Sequence, residues 1–227
     1  VNTVLESAGF ENCPADMMAS NTKWCQPLSV WKEYFTGWIK EPAEKALMLS
    51  TIFFDFRSVY GSFTLGEQLK AHISEVIVGE RIFLNFLAKN ALKNPAPLGF
   101  FKNFMVERSG EHENEFDIKA RAMMPLVDIA RVLLLDHGQL DETNTMKRYA
   151  FLAEKEPKKS ELYLQAAESY EYLMRFRAQH GFKHNSSGRY IRIDELNKLD
   201  RQILRNTFEP IDRLQKMLEV RYQLSYF

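Results

Sequence analysis

The sequence predicts an all-α protein, a multi-helix bundle. Three observations predict it. Apolar residues recur with a period near 3.6 through almost every long segment, as in Trp31, Tyr34, Phe35, Trp38 and Ile39. Glycine or proline punctuates the segment ends, at Gly61, Gly79, Pro95, Gly138, Pro157 and Gly181. Strand-like patterning is confined to Tyr190-Ile191-Arg192-Ile193 and to Met17-Met18-Ala19, the latter a candidate strand remnant near the N-terminus.

Taken in order, Val1 to Ala8 fits the last turns of a helix stopped at Gly9. Glu11 to Pro27 is irregular. Ser29 is a plausible N-cap for the Trp31–Ile39 stripe. Pro42 suits a first helical position, and the next helix is expected to run from Ala43 through Tyr60 to Gly61. Thr64-Leu65-Gly66-Glu67 has the form of a capping box for a helix to about Val78. Ile82, Phe83, Phe86, Leu87 and Leu92 mark the next, closed by Pro95 and Pro97. A short aromatic-rich turn is expected over 98–105, and a polar surface excursion over 107–114. The most apolar helix is expected from Ala122 to His137, with Pro125 in its first turn. Further helices are expected over 145–155, from a Ser160 cap to His180, and from Lys198 to Leu224 with a kink at Pro210.

Composition excludes several function classes. At 227 residues the chain can bury a sizeable core, and 45% of it is apolar. Thirty basic residues balance thirty acidic ones, so no global field draws in nucleic acid or an anionic membrane. No apolar run approaches the roughly 20 residues that span a bilayer. No signal peptide opens the chain, and Val1-Asn2-Thr3 reads like a cut through a longer protein. Cys13 and Cys25 fit no zinc pattern, so reduced thiols and a cytoplasmic setting are expected.

The sequence also lacks most catalytic signatures. It has no phosphate loop, no dinucleotide fingerprint, no Glu-x-x-His and no nucleophile elbow. Its five histidines are scattered, mostly near expected helix ends, and no metal ligands are expected. Glu115-Phe116-Asp117 has the acid-apolar-acid spacing that clamps metals on a strand, but it reads as part of a charged loop before a helix.

Two charged constellations stand out. Asp55 and Arg57 interrupt the apolar run Ile52-Phe53-Phe54-Asp55-Phe56-Arg57. Unpaired and buried, such a charge costs several kcal/mol, so each must be paired or face a cleft. One reading is a structural Asp–Arg pair; the other is Arg57 meeting a phosphate or carboxylate. In the second constellation, Asp128 and Arg131 lie three apart on the most apolar helix, with Asp117, Lys119 and Arg121 upstream. An internal Asp128–Arg network is expected there, with Arg175 and Arg177 as possible counterparts.

Several of these stretches resemble a bacterial nucleotidyltransferase family, similar to the PII-uridylyltransferase and glutamine-synthetase adenylyltransferase group. The resemblance rests on Asn21-Thr22-Lys23-Trp24, Trp31…Trp38-Ile39 and Ile52-Phe53-Phe54-Asp55-Phe56-Arg57…Gly61…Leu65. It continues through Gly110-Glu111-His112, Asp117-Ile118-Lys119, Pro125-Leu126-Val127-Asp128-Ile129-Ala130-Arg131 and Leu199-Asp200-Arg201. In that family a polymerase-β-type catalytic domain precedes a helical substrate-binding domain, often below cyclic-nucleotide-binding and CBS regulatory domains. The resemblance implies a catalytic-domain tail over 1–43 and a helical domain over 44–227.

It also implies Mg2+ and a nucleoside triphosphate for the full-length protein, a PII-like protein acceptor, and roles in nucleotide or substrate binding for Asn21, Asp55, Arg57, Lys119 and Arg131. Two departures matter. Cys13-Pro14-Ala15 stands where the family has Cys-x-Gly, and the metal-binding Gly-Ser…Asp-x-Asp element is absent from these residues. The fragment alone is therefore expected to be inactive. The other reading is a non-catalytic helical signalling module that relays upstream sensor domains to a protein partner.

Overall fold

The computed structural model describes residues 1–97 and 104–226. It is a helical bundle with one two-stranded ribbon. After a short α1 (Asn2–Ser7), α2 (Leu28–Lys40), α3 (Glu44–Phe53) and α4 (Phe63–Ile77) form an aromatic N-terminal layer. α5 (Arg81–Ala91), α6 (Met124–Asp136), α7 (Thr145–Lys155) and α8 (Ser160–His184) pack successively, each against the next. α9 (Lys198–Asn206) and α10 (Phe208–Arg221) follow, and α10 packs across α5, α6 and α8. β1 (Glu115–Asp117) pairs antiparallel with β2 (Tyr190–Arg192), with Phe116 opposite Ile191.

The core sits on α6. Leu126, Ile129, Ala130 and Leu133 are fully buried, and almost every position of the helix faces protein. A helix apolar all round must be central, because it has no face to offer water. Among the described residues no helix is long and apolar enough to cross a membrane.

Several boundaries differ from the sequence expectation. α2 starts at Leu28 with Pro27 at its N-cap, and neither Ser29 nor the Thr64–Glu67 box makes a side-chain cap. Ser160 does not cap α8; it is the first residue of a helix that follows directly on a 3₁₀ turn, Pro157–Lys159. Met17-Met18-Ala19 is not a strand; the segment coils over the aromatic layer, and among the described residues nothing pairs with it. The true strand partner of Tyr190–Arg192 is Glu115–Asp117, expected to lie in a loop.

α3 ends at Phe53 and does not run on to Tyr60. α8 runs through Gly181 to His184, and Asn185 closes it in the left-handed region at φ 48°. The long final helix is two helices. They meet at Thr207, and Pro210 falls in the first turn of α10, where its missing N–H is no loss. A π-helical turn, Lys119–Met123, precedes α6 and was not expected. The turn expected over 98–105 falls largely outside the described residues.

Candidate functional site

The end of α3 fixes the first constellation. Phe53 packs in the Trp24, Trp31 and Trp38 cluster. Phe54 is buried between Phe35 and Phe83, and Phe56 turns back toward Phe35. Phe53 thus joins the tryptophan cluster while Phe54 and Phe56 both reach Phe35. Leaving the helix lets Asp55 point across the bundle to α6 and α7.

There Asp55 meets two arginines. Arg131 binds it through both fork edges, Nη2 to Oδ2 at 2.6 Å and Nε to Oδ1 at 3.2 Å. Arg148 on α7 donates from Nη2 to Oδ1. The third fork position of Arg131 donates to Asp128 Oδ1 at 2.6 Å. Arg148 Nε is held by the Glu142 carbonyl at 2.7 Å, while its buried Nη1 has no partner among the described residues.

The two acids of this cluster are pushed in opposite directions. Burial alone would raise the Asp55 carboxyl. Hydrogen bonds and charge from Arg131, and then from Arg148, outweigh that and hold it below its ordinary value. For Asp128 burial wins: Arg131 pulls the other way, Asp55 adds repulsion, and the carboxyl is raised.

The expected Asp128–Arg network is therefore present, but its second arginine is Arg148. Arg175 instead pairs with Glu171 on the surface, and Arg177 binds the Ser187 carbonyl. Arg148 carried a signal in the sequence. Thr145, Arg148, Tyr149, Leu152 and Ala153 form the buried face of α7, and an arginine on such a stripe needs an acid to meet.

Asp55 and Arg57 do not pair with each other. Arg57 is exposed, and among the described residues it makes no hydrogen bond or ion pair. It follows Phe56, which lines an apolar cavity of about 350 Å³ together with Met17, Met18, Trp24, Trp31 and Phe53. Lys23 Nζ stands 4.6 Å from the Trp24 ring centre, and Lys70 Nζ 5.9 Å from that of Phe56. Cations thus flank an aromatic hollow.

Of the sequence-predicted residues, the structure brings Asp55 and Arg131 together and leaves the others apart. Asn21 ties its own loop, donating to Asp16 Oδ2 at 2.8 Å and accepting from Lys23 N. Lys119 is exposed at the start of the π turn, whereas the Arg131 cluster lies toward the opposite end of the rod formed by that turn and α6.

A second acid–arginine cluster surrounds that turn. Buried Asp117 caps it by accepting from Ala120 N at 2.9 Å, and binds Arg189 Nη2 at 2.7 Å. Burial opposes the charge on Asp117, but Arg189 and the turn's N–H groups hold its carboxyl below the ordinary range. Arg121 pairs with Glu107, and the His112 ring stacks on Tyr190 at 3.4 Å while bonding Glu115. Glu107, His112, Asp117, Arg121, Arg189 and Tyr190 line a polar cavity of about 400 Å³. Glu115 and Asp117 do share one strand, yet each carboxylate is engaged by His112 or Arg189. Among the described residues no group of three or more His, Cys, Asp or Glu could hold a metal ion. This donor set does not fit magnesium, which the resemblance assigns to the full-length protein through an element outside these residues.

Comparison with known families gives two matches. The family model described as "Putative nucleotidyltransferase substrate binding domain" matches residues 81–222, more than half of the chain. That described as "Putative nucleotidyltransferase DUF294" matches residues 1–45. The Phe53–Arg57 stretch lies between the two. No curated protein and no solved structure matches the chain.

Proposed function

We propose a function from one premise: this chain belongs to the nucleotidyltransferase family whose substrate-binding domain it matches. In our reading it is the substrate-recognition part of an enzyme that moves a nucleoside monophosphate from a triphosphate to a protein acceptor of the PII kind. The metal-binding carboxylates belong to the family's catalytic element, which these residues do not include, so no step here runs through magnesium. What this chain contributes is recognition and orientation.

One observation carries the reading: Arg57 is an exposed guanidinium, unpaired among the described residues, next to a turn locked in place from behind. Asp55 is anchored by Arg131 and Arg148, and Phe54 is buried, so the backbone that presents Arg57 is fixed. A guanidinium held this way can grip a phosphate with two parallel N–H donors. The aromatic cavity lined by its chain neighbour Phe56 offers apolar walls for the rest of the nucleotide or for an acceptor side chain.

The test uses the full-length protein. Arg57→Ala removes a charge-assisted contact of roughly 1.5–3 kcal/mol. Nucleotide affinity should fall about tenfold to a hundredfold. The melting temperature should barely move, because nothing buried loses a partner. Arg57→Lys keeps the charge but loses the fork, so affinity should fall with it too. Unchanged affinity in both folded variants would refute the role of Arg57 and favour the signalling-module reading.

A further inference from the structure

α8 does not stop at Gly181. Its last turn continues to His184 and puts His180 and His184 one turn apart on one face. Their ring centres are 4.2 Å apart. Neither ring makes a hydrogen bond or ion pair within the described residues, whereas His72, His112 and His137 are all engaged, by Thr36, Glu115 and Glu156.

The helix end is also locked. Asn185 closes it in the left-handed region, Ser186 N donates to the Gly181 carbonyl at 3.0 Å, and the 186–188 loop folds back over Gly181. A Cβ on Gly181 would stand 2.9 Å from the Ser186 carbonyl, and one on Gly188 only 2.1 Å from that of Arg177. Small residues at both positions therefore let the loop clamp the turn that carries the two histidines. Burial, then His184 and Lys183, hold the His180 imidazole below its ordinary value, against the smaller pull of Glu195 and Glu115.

We propose that His180 and His184 form a two-imidazole binding site for a divalent transition-metal ion, with water completing its coordination. A rotation of each ring about its Cβ–Cγ bond turns a nitrogen of each toward a shared ion. Paired neutral imidazoles suit Zn2+, Ni2+ and Cu2+, with Cu2+ bound tightest, and offer little to Mg2+ or Ca2+.

The experiment titrates the tag-free 227-residue chain with NiCl2, ZnCl2 and CuCl2 by calorimetry, with MgCl2 as control. One ion should bind per chain, with no binding of Mg2+. His180→Ala and His184→Ala should each weaken Ni2+ binding by at least the roughly 10–100-fold that loss of a supporting outer-shell partner costs. The double variant should bind no Ni2+, because neither ring is left to hold the ion. His72→Ala and Cys25→Ser should leave binding unchanged. The melting temperature without metal checks that the variants fold, and His184, being exposed, should fold normally. Binding that survives both histidine substitutions in folded protein, or no binding by the parent chain, overturns the proposal.

Discussion

Asp55 and Asp117 each hold an arginine, but the two clusters are built the opposite way round. In the first the cations are buried: the side chains of Arg131 and Arg148 are 7% and 4% exposed, and that of Asp55 27%. In the second the anion is buried: the Asp117 side chain is 5% exposed and that of Arg189 38%. The difference decides what a mutation strands. An arginine cannot shed its charge inside a protein, whereas a carboxylate can take a proton and become neutral. The first cluster is thus a clasp between α3, α6 and α7, and the second a rim that can exchange its outer partner with water or a ligand.

The largest expected effect tests the clasp. Asp55→Ala takes from buried Arg148 its acid and leaves buried Arg131 only Asp128, and should cost about 3–5 kcal/mol in a denaturant melt. A loss no greater than that of a surface substitution would show that water already reaches both arginines.

Arg189→Ala should cost less, about 1–3 kcal/mol at neutral pH. It strands Asp117, but the carboxyl still caps the π turn and can take up a proton. The sign of the pH effect follows. In the parent chain Asp117 has a depressed folded value, so its stabilisation is complete above the ordinary carboxylate range and is lost as pH falls through it. Without Arg189, burial dominates, the folded value rises, and protonation then favours the folded state. The gap between variant and parent should therefore narrow as pH is lowered from 6 to 3. A gap of constant size would mean that Asp117 keeps its charge without Arg189.

Asp128→Asn should have the smallest effect, within about 1 kcal/mol at neutral pH. Asp128 is raised by burial and by Asp55. Whatever stability its proton brings is present at low pH and lost as pH rises through the raised value, so at neutral pH its charge already weighs against the fold. The amide keeps a carbonyl for Arg131 to donate to. A loss as large as that of Asp55→Ala would show the two acids to be equal members of one network.

Much of this arrangement was legible in the sequence. The stripes of α2, α5, α6 and α7 carried their own period, and glycines at φ 81° and 68° mark the stops at Gly79 and Gly138. The pairing of Asp128 with Arg131 followed from their spacing on an apolar helix. The partners of Asp55 did not, because Arg131 and Arg148 lie 76 and 93 residues away and only the packing of α3 against α6 and α7 brings them in. Arg189 on Asp117 was hidden for the same reason: it depends on a ribbon whose strands are three residues each, too short for alternation to announce.

By itself the sequence determined that the chain would be helical, which faces would be buried, and that Asp55 and Arg131 needed partners. These are local matters of periodicity and of the cost of a buried charge. Tertiary structure decided where helices ended and which charges met. α3 stops at Phe53 because its rings and Asp55 have distant partners, and α8 passes Gly181 because the loop beyond it needs that glycine's empty side. The same local signal, a glycine after a helical stripe, ends α4 at Gly79 but not α8 at Gly181. Only the neighbours packed against each glycine distinguish the two.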